Sequence, residues 1–257
     1  ISLTSRNKKA DTPIPMCGVP HRAVQGYIAR LIEKGYKVAI CDQVEDPSTA
    51  KGLVKREVVR VVTPGMILEN ELLDEKTNNY VLSAVFEINR IGLSYLDIST
   101  GAVRVMEPVD MGTALEETFR VSPREIILPP MGDNDSDLTP YMEAVQNFQP
   151  TILEPKAFEY TPARERLLKS FGTVSLEGFG CEKLRQGIRA AGALVFYVQE
   201  TQKQKLEHVK HIETYNLDNY LFIDDQSYKN LEVEKNLHSG TRKGAMLSLM
   251  DKTITAM

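Results

Sequence analysis

The chain is poor in cysteine. Its three residues, Cys17, Cys41 and Cys181, show no paired spacing. A disulfide framework or a zinc site is therefore not expected, and free thiols in a reducing compartment are. Long apolar runs are missing as well. None approaches the ~20 residues that a membrane span needs, and the opening residues do not read as a signal peptide. The sequon Asn134-Asp135-Ser136 then carries no meaning. Phosphate loops are also lacking. Gly178-Phe179-Gly180 has no third glycine at dinucleotide spacing, and Lys243, between Gly240 and Gly244, has no Ser or Thr after it.

What is present is an ordinary globular composition, with 42% apolar and 26% charged residues over 257 positions. That length suits one large domain or two of common size. The net charge of −4 hides an asymmetry. Residues 1–65 hold 11 Lys and Arg against 6 Asp and Glu, a balance of +5, and the remainder stands at −9. A basic unit on a larger acidic one points to a polyanion that touches only the first.

Residues 13–65 form the most informative stretch. Pro15, Gly18 and Pro20 punctuate a loop, and Val24, Ile28, Leu31 and Ile32 then recur at helical spacing up to a Gly35 cap. Residues 38–41 and 58–62 read as strands, and the second ends at the turn Thr63-Pro64-Gly65. Before this unit, Ser5-Arg6-Asn7-Lys8-Lys9 is a polar turn next to Pro15 and Met16 across a hairpin. Alone, it reads as a solvated loop or as a phosphate contact. The Pro-Met pair reads either as hairpin packing or as apolar surface of the kind that presses on bent DNA. Lys51, Lys55 and Arg56 sit in or beside the loop between the two strands, within reach of phosphates, and Arg60 lies on the second strand.

The wording of this stretch resembles the DNA mismatch-repair family MutS. The pieces that carry it include Ile1-Ser2-Leu3-Thr4, Pro13-Ile14-Pro15-Met16, Gly18-Val19-Pro20-His21, Val38-Ala39-Ile40-Cys41, Asp46-Pro47 and residues 58–65. It continues through Leu96-Asp97-Ile98-Ser99-Thr100-Gly101, Gly178-Phe179-Gly180, Ala190-Ala191-Gly192 and residues 249–257. The resemblance implies an excised segment of mixed α/β class. Residues 1–66 would be the C-terminal part of a mismatch-binding domain, 67–79 a linker, 80–212 a ribonuclease-H-like connector, and 213–257 the start of an all-α lever domain. The Phe-x-Glu motif that reads the mismatch would lie ahead of Ile1, and the Walker-type ATPase beyond Met257.

For function, the resemblance implies binding to double-stranded DNA with mismatches or small loops. Arg6, Lys8, Lys9, Pro15, Met16, Lys55, Arg56 and Arg60 would be the contacts. The parent would be a cytoplasmic, nucleoid-associated homodimer that uses ATP and magnesium and recruits MutL. This segment would hold no cofactor and carry no catalysis.

The connector has its own sequence signature. Strands at 80–88, 92–98 and 102–106 form a meander, followed by a helix at 111–121 and a strand at 125–128. An acidic loop at 133–137, a helix near 139 and a strand at 151–153 follow, and the helix at 162–171 completes a βββαβαβα order. Glu87, Asp97 and Glu116 or Glu117 are the carboxylates a two-metal nuclease on such a fold would need, although Asp97 precedes a turn that it is well placed to cap. This nuclease is the enzyme alternative. A paralogue acting on recombination intermediates is another, and the basic unit at 1–65 argues against it.

Residues 162–171 read as a helix with Leu167, Leu168 and Phe171 inward and Arg164, Glu165, Arg166 and Lys169 outward. Its position matches the family's connector helix implicated in MutL contact, with Glu165 and Arg166 where paired glutamines are often found. Residues 181–206 read as a long helix with one apolar seam, Leu184, Ile188, Ala191, Val195 and Val198. Ser227 is expected to cap a helix running to Asn236, with Leu231 and Leu237 on its apolar side, and another helix begins near Ala245.

Overall fold

The computed structural model describes residues 3–6, 12–46, 48, 52–66, 78–87, 90–131, 139–203, 209, 211–217 and 223–252. The linker expected at 67–79, apart from its last two residues, and the acidic loop at 133–137 lie outside them.

The N-terminal unit consists of two ribbons and one helix. Strands β1 (Leu3–Arg6) and β2 (Ile14–Cys17) pair antiparallel, with Thr4 opposite Met16 and Ser5 opposite Pro15. Helix α1 (Val24–Glu33) follows, and Gly35 takes a φ of 80° to turn the chain. The backbone then enters β3 (Val38–Gln43), antiparallel to β4 (Arg56–Val62) with a bulge at Ile40/Cys41. The spacing read from the sequence places Ile28 and Ile32 against Val62, flanked by Val24, Val38 and Ile40. This core is small.

The remainder is organised on six strands: β5 (Tyr80–Glu87), β6 (Arg90–Asp97), β7 (Ala102–Met106), β8 (Glu125–Leu128), β9 (Thr151–Ile152) and β10 (His211–Thr214). Their order is β10-β7-β6-β5-β8-β9, with the meander β5-β6-β7 antiparallel and the outer pairings parallel. Helices α2 (Met111–Val121) and α3 (Thr139–Ala144) cover one face, and α4 (Tyr160–Phe171) and α5 (Arg185–Gln202) the other. Both faces are therefore buried, and the strands read as nearly continuous apolar runs. On β5, Val81 and Val85 face α5 while Leu82 and Ala84 face α2 and α3. Each fully buried Leu or Ile here contributes roughly 1.5–3 kcal/mol.

Helix α5 is the central brace. Gly92 on β6 lies so close to its first turn that a Cβ there would stand 2.2 Å from the Gln186 carbonyl carbon. Farther along, Gly192 meets Ala163 of α4 in the same way, at 2.4 Å. Glu107 caps the helix from the end of β7, accepting from Gln186 N at 2.6 Å and Gly187 N at 3.0 Å. Where one apolar seam was expected, residues 190–195 are buried on every side.

Three expectations need correction. Helix α5 starts at Arg185 rather than 181, because Gly180 (φ 74°) and a turn from Cys181 to Leu184 precede it. A sixth strand, β10, extends the sheet beside β7. Finally, α6 (Asp225–Asn230) is capped by Asp224, which accepts from Ser227 N at 2.9 Å, and it ends six residues short of Asn236. Leu231 and Leu237, expected on an apolar side, are each 61% exposed. A last short helix, α7 (Met246–Met250), closes the described chain.

Candidate nucleic-acid interface

Among the described residues, those expected to meet DNA fall on or beside two separate ribbons with no strand pairing between them. The first presents Pro15 and Met16 on β2, both exposed, with Leu3 and Ile14 exposed beside them. Arg6 is the last residue of β1, and Lys8 and Lys9 lie outside the described residues. A two-stranded ribbon has one layer of backbone and nothing to bury these apolar side chains against, so they remain available to a partner surface.

The second ribbon carries Arg56 and Arg60 on β4, with Lys55 just ahead of it. Arg56 is exposed and Arg60 half-buried. Lys55 is partly neutralised, because its Nζ lies 2.5 Å from Glu57 Oε1. A surface ion pair of this kind contributes little to stability and is exchangeable for a phosphate.

Behind these ribbons lies a feature that no sequence pattern announced. Glu125, the first residue of β8, has a side chain only 3% exposed and accepts four hydrogen bonds. Lys37 Nζ stands 2.8 Å from Oε1, Tyr197 donates its hydroxyl to Oε1 at 2.6 Å, and Thr151 does so at 2.8 Å. Thr63 donates to Oε2 at 2.6 Å. Lys37 also donates to the Tyr197 and Thr151 hydroxyl oxygens, so its ammonium has three partners. Burial pushes the Glu125 carboxyl up, but the charge of Lys37 and the donors around it outweigh that and hold it below the ordinary glutamate range. Burial, and then the Glu125 charge, push the Tyr197 phenol up, so it stays a donor.

The carboxylates proposed for a nuclease do not come together. Glu87 is held by Arg189 at 3.3 Å and by Gln186 of α5. Asp97 caps its turn, accepting from Ser99 N at 2.9 Å and Ser99 Oγ at 2.6 Å. Glu117 is buried under Arg120 and the Tyr215 hydroxyl, and Glu116 is exposed. Among the described residues, no three His, Cys, Asp or Glu side chains converge as a metal site would need. A cavity of about 570 Å³ lies between α2 and the C-terminal segment, lined in part by Tyr95, Arg104, Arg120, Tyr215 and Tyr228. Its two arginines are already engaged, Arg104 by Glu213 at 2.7 Å and Arg120 by Glu117 at 2.5 Å.

On α4 only part of the expected outer face is free. Glu165 and Lys169 are exposed. Arg164 is tied to Glu182 at 2.8 Å. Arg166 turns back over its own helix layer, donating to the Gly192 carbonyl at 2.7 Å and the Ala157 carbonyl at 3.3 Å, with its guanidinium 4.9 Å from the centre of the Phe196 ring.

Two family models match this chain in succession, MutS domain I over residues 1–71 and MutS domain II over residues 79–213. The chain belongs to the MutS family. DNA mismatch repair protein MutS of Desulfatibacillum aliphaticivorans is 50% identical over 257 residues, which is 100% of this chain and 29% of that protein. MutS of Desulfosudis oleivorans is 48% identical over the same length, and MutS of Thermosynechococcus vestitus 42% identical over 254 residues. The chain thus spans about 29% of the length of the curated MutS relatives it matches. The N-terminal unit corresponds to MutS domain I, and the six-stranded domain to MutS domain II, the connector. Among solved structures, Thermus thermophilus RuvC bound to a Holliday junction aligns at 12% identity and a TM-score of 0.30, too loose a match to carry an argument. No helix among the described residues is long and apolar enough to cross a membrane.

Proposed function

We propose that this chain is the DNA-facing and connecting portion of a protein that recognises mispaired or unpaired bases in duplex DNA and starts their repair. The observation that carries the reading is the succession of domain I and domain II at 40–50% identity to MutS proteins, with an exposed Pro15-Met16 ribbon leading the first. In this reading Arg6, Lys8, Lys9, Lys55, Arg56 and Arg60 neutralise backbone phosphates, which positions the protein without reading sequence. Pro15 and Met16 press on the bent groove. The connector joins that contact to an ATPase elsewhere in the parent homodimer, where ATP and magnesium are held. It also offers α4, through Glu165 and Lys169 with Arg164 and Arg166 behind them, to MutL. The cell compartment that follows is the cytoplasm, at the nucleoid.

A paralogue devoted to recombination intermediates is the second reading. The match of residues 1–71 to domain I weighs against it, because the resemblance assigns such paralogues no mismatch-binding domain.

The test is a titration of this chain with matched and G·T duplexes across a salt series. Weak binding without mismatch preference is expected, with a log–log salt slope of roughly −2 to −5, about −0.9 for each phosphate neutralised. Strong discrimination between the two duplexes would put the mismatch reader inside these residues and overturn this division of labour. A flat salt response would remove the phosphate contacts.

A further inference from the structure

Two stretches of the N-terminal unit meet the connector. One is the chain crossing itself, where β4 ends in Thr63-Pro64-Gly65-Met66. Thr63 and Met66 are buried, and Met66 belongs to the connector core alongside Val81 and Val85. A Cβ on Gly65 would stand 2.4 Å from Val81 Cγ2 and 3.0 Å from Glu125 Cβ, so the crossing lies tight against the starts of the neighbouring strands β5 and β8. Gln202 at the end of α5 also donates to the Met66 carbonyl at 3.4 Å.

The second stretch is the turn between α1 and β3. A Cβ on Gly35 would stand 2.7 Å from Gln149 Oε1, and Lys37 reaches Glu125, Thr151 and Tyr197 of the connector. One tether alone lets a small domain swivel about it. A second contact, made by residues well upstream of the crossing, removes that rotation. Both stretches converge on the same carboxylate, since Lys37 takes Oε1 and Thr63 takes Oε2.

We infer that Glu125 is the pin of a charge-locked joint that makes the N-terminal unit and the connector one rigid body. Lys37, Thr63, Thr151 and Tyr197 all point their donors at this one carboxylate. Withdrawing Lys37 or Thr63 would strip donors from a carboxylate that the protein interior cannot otherwise solvate. A domain rotation at this joint therefore meets a desolvation barrier. A ligand that displaces the N-terminal unit would move the connector with it, and flexing is left to segments outside the joint. The inference does not depend on which ligand that unit binds.

The experiment is a spin-label distance measurement in the full-length protein carrying this chain. Exposed Cys17 and Cys41 are replaced by Ser, labels are placed at Glu33→Cys on α1 and Lys169→Cys on α4, and unlabelled protein is added so that only distances within one chain count. The native joint should give one narrow distance. Lys37→Met, a substitution at a side chain 39% exposed that keeps length and apolar contact, should lose that single peak and spread to a broad distribution. Thr63→Val, which removes the donor to Oε2, should spread it in the same direction and serves if Lys37→Met does not fold. A distribution already broad in the native protein would overturn the joint. So would one that stays narrow in a folded variant.

Discussion

Lys37 Nζ and Glu125 Oε1 stand 2.8 Å apart across the seam between two structural units. The pair is unequal, with Glu125 3% exposed and Lys37 39%. Losing the pair therefore strands only the carboxylate. If Lys37 is removed, Glu125 keeps three hydroxyl donors but no countercharge. If Glu125 is removed, Lys37 can turn to water. Buried ion pairs often add little net stability, since desolvation offsets attraction, but removing the partner that leaves a buried charge uncompensated, here Lys37, is costly. A substitution at Glu125 instead removes the buried charge itself and so isolates what its ionisation contributes.

The expected result for Glu125→Gln is a loss of about 1.5–3 kcal/mol at neutral pH, the scale of hydrogen bonds to a charged group. The pH dependence has a definite sign. The folded carboxyl is held below the ordinary glutamate value, so its contribution is fully present above that value. It is lost as pH falls through the lowered folded value. Native protein should therefore lose melting temperature on acidification more steeply than Glu125→Gln, and the two curves should converge at low pH. Parallel curves would show that this carboxylate does not gain its stability from ionisation.

The joint also shows where sequence reading stops. The β5-β6-β7 meander was legible because Ser99-Thr100-Gly101 breaks two apolar runs at hairpin spacing, and α1 because Val24, Ile28 and Ile32 repeat on one face before Gly35. The first hairpin was legible too, although Ser5 and Arg6, read as part of its turn, belong to strand β1 and pair with Pro15 and Ile14. Strand β10 left no such trace. It is four residues long with Ile212 as its buried apolar residue, and its pairing is dictated by the free edge of β7. The Glu125 cluster is more hidden still. Its members are drawn from five segments, Lys37 and Tyr197 being 160 residues apart, and each looks locally like a solvated polar residue or a strand end. The outward reading of Arg166 failed for a related reason. Helical spacing locates a side chain on a face but does not show which carbonyl of the next helix lies within its reach, and the Gly192 carbonyl is what Arg166 donates to.

Glycine positions give a second prediction with an internal control. Gly92→Ala should cost about 1–3 kcal/mol or more, because the new Cβ meets the Gln186 backbone, which cannot rotate away. Gly192→Ala should behave alike against Ala163. Gly26, within α1, has nothing within 4 Å of the Cβ position, so Gly26→Ala should stabilise by about 0.5–1 kcal/mol. Urea denaturation of the three variants measures this. Equal effects at all three sites would mean that helix propensity, rather than the close approach of α5 to β6 and α4, governs these positions.

Helix α4 separates exposed charges, the contact surface proposed above, from a half-buried structural one. Arg166 cannot be changed without leaving the Gly192 and Ala157 carbonyls short of a donor and the Phe196 ring uncovered. Burial pulls its guanidinium below the usual arginine range, and a glutamate in its place would sit among carbonyl oxygens. Arg166→Glu is thus expected to lower stability by about 2–4 kcal/mol, and any loss of MutL capture that accompanies it would be a folding effect. Glu165 and Lys169 are the informative positions, because exposed charges that touch nothing internal change stability by only about ±0.5 kcal/mol. Charges at the rim of an interface act mainly on association rate and orientation. The paired reversal Glu165→Lys with Lys169→Glu keeps the net charge and inverts its pattern along the helix. It should weaken capture by the cognate MutL in a pull-down while the melting curve stays that of the native protein. Full capture by this folded variant would take α4 out of the contact, and the opposite face of the connector, around α2, would be the next surface to test.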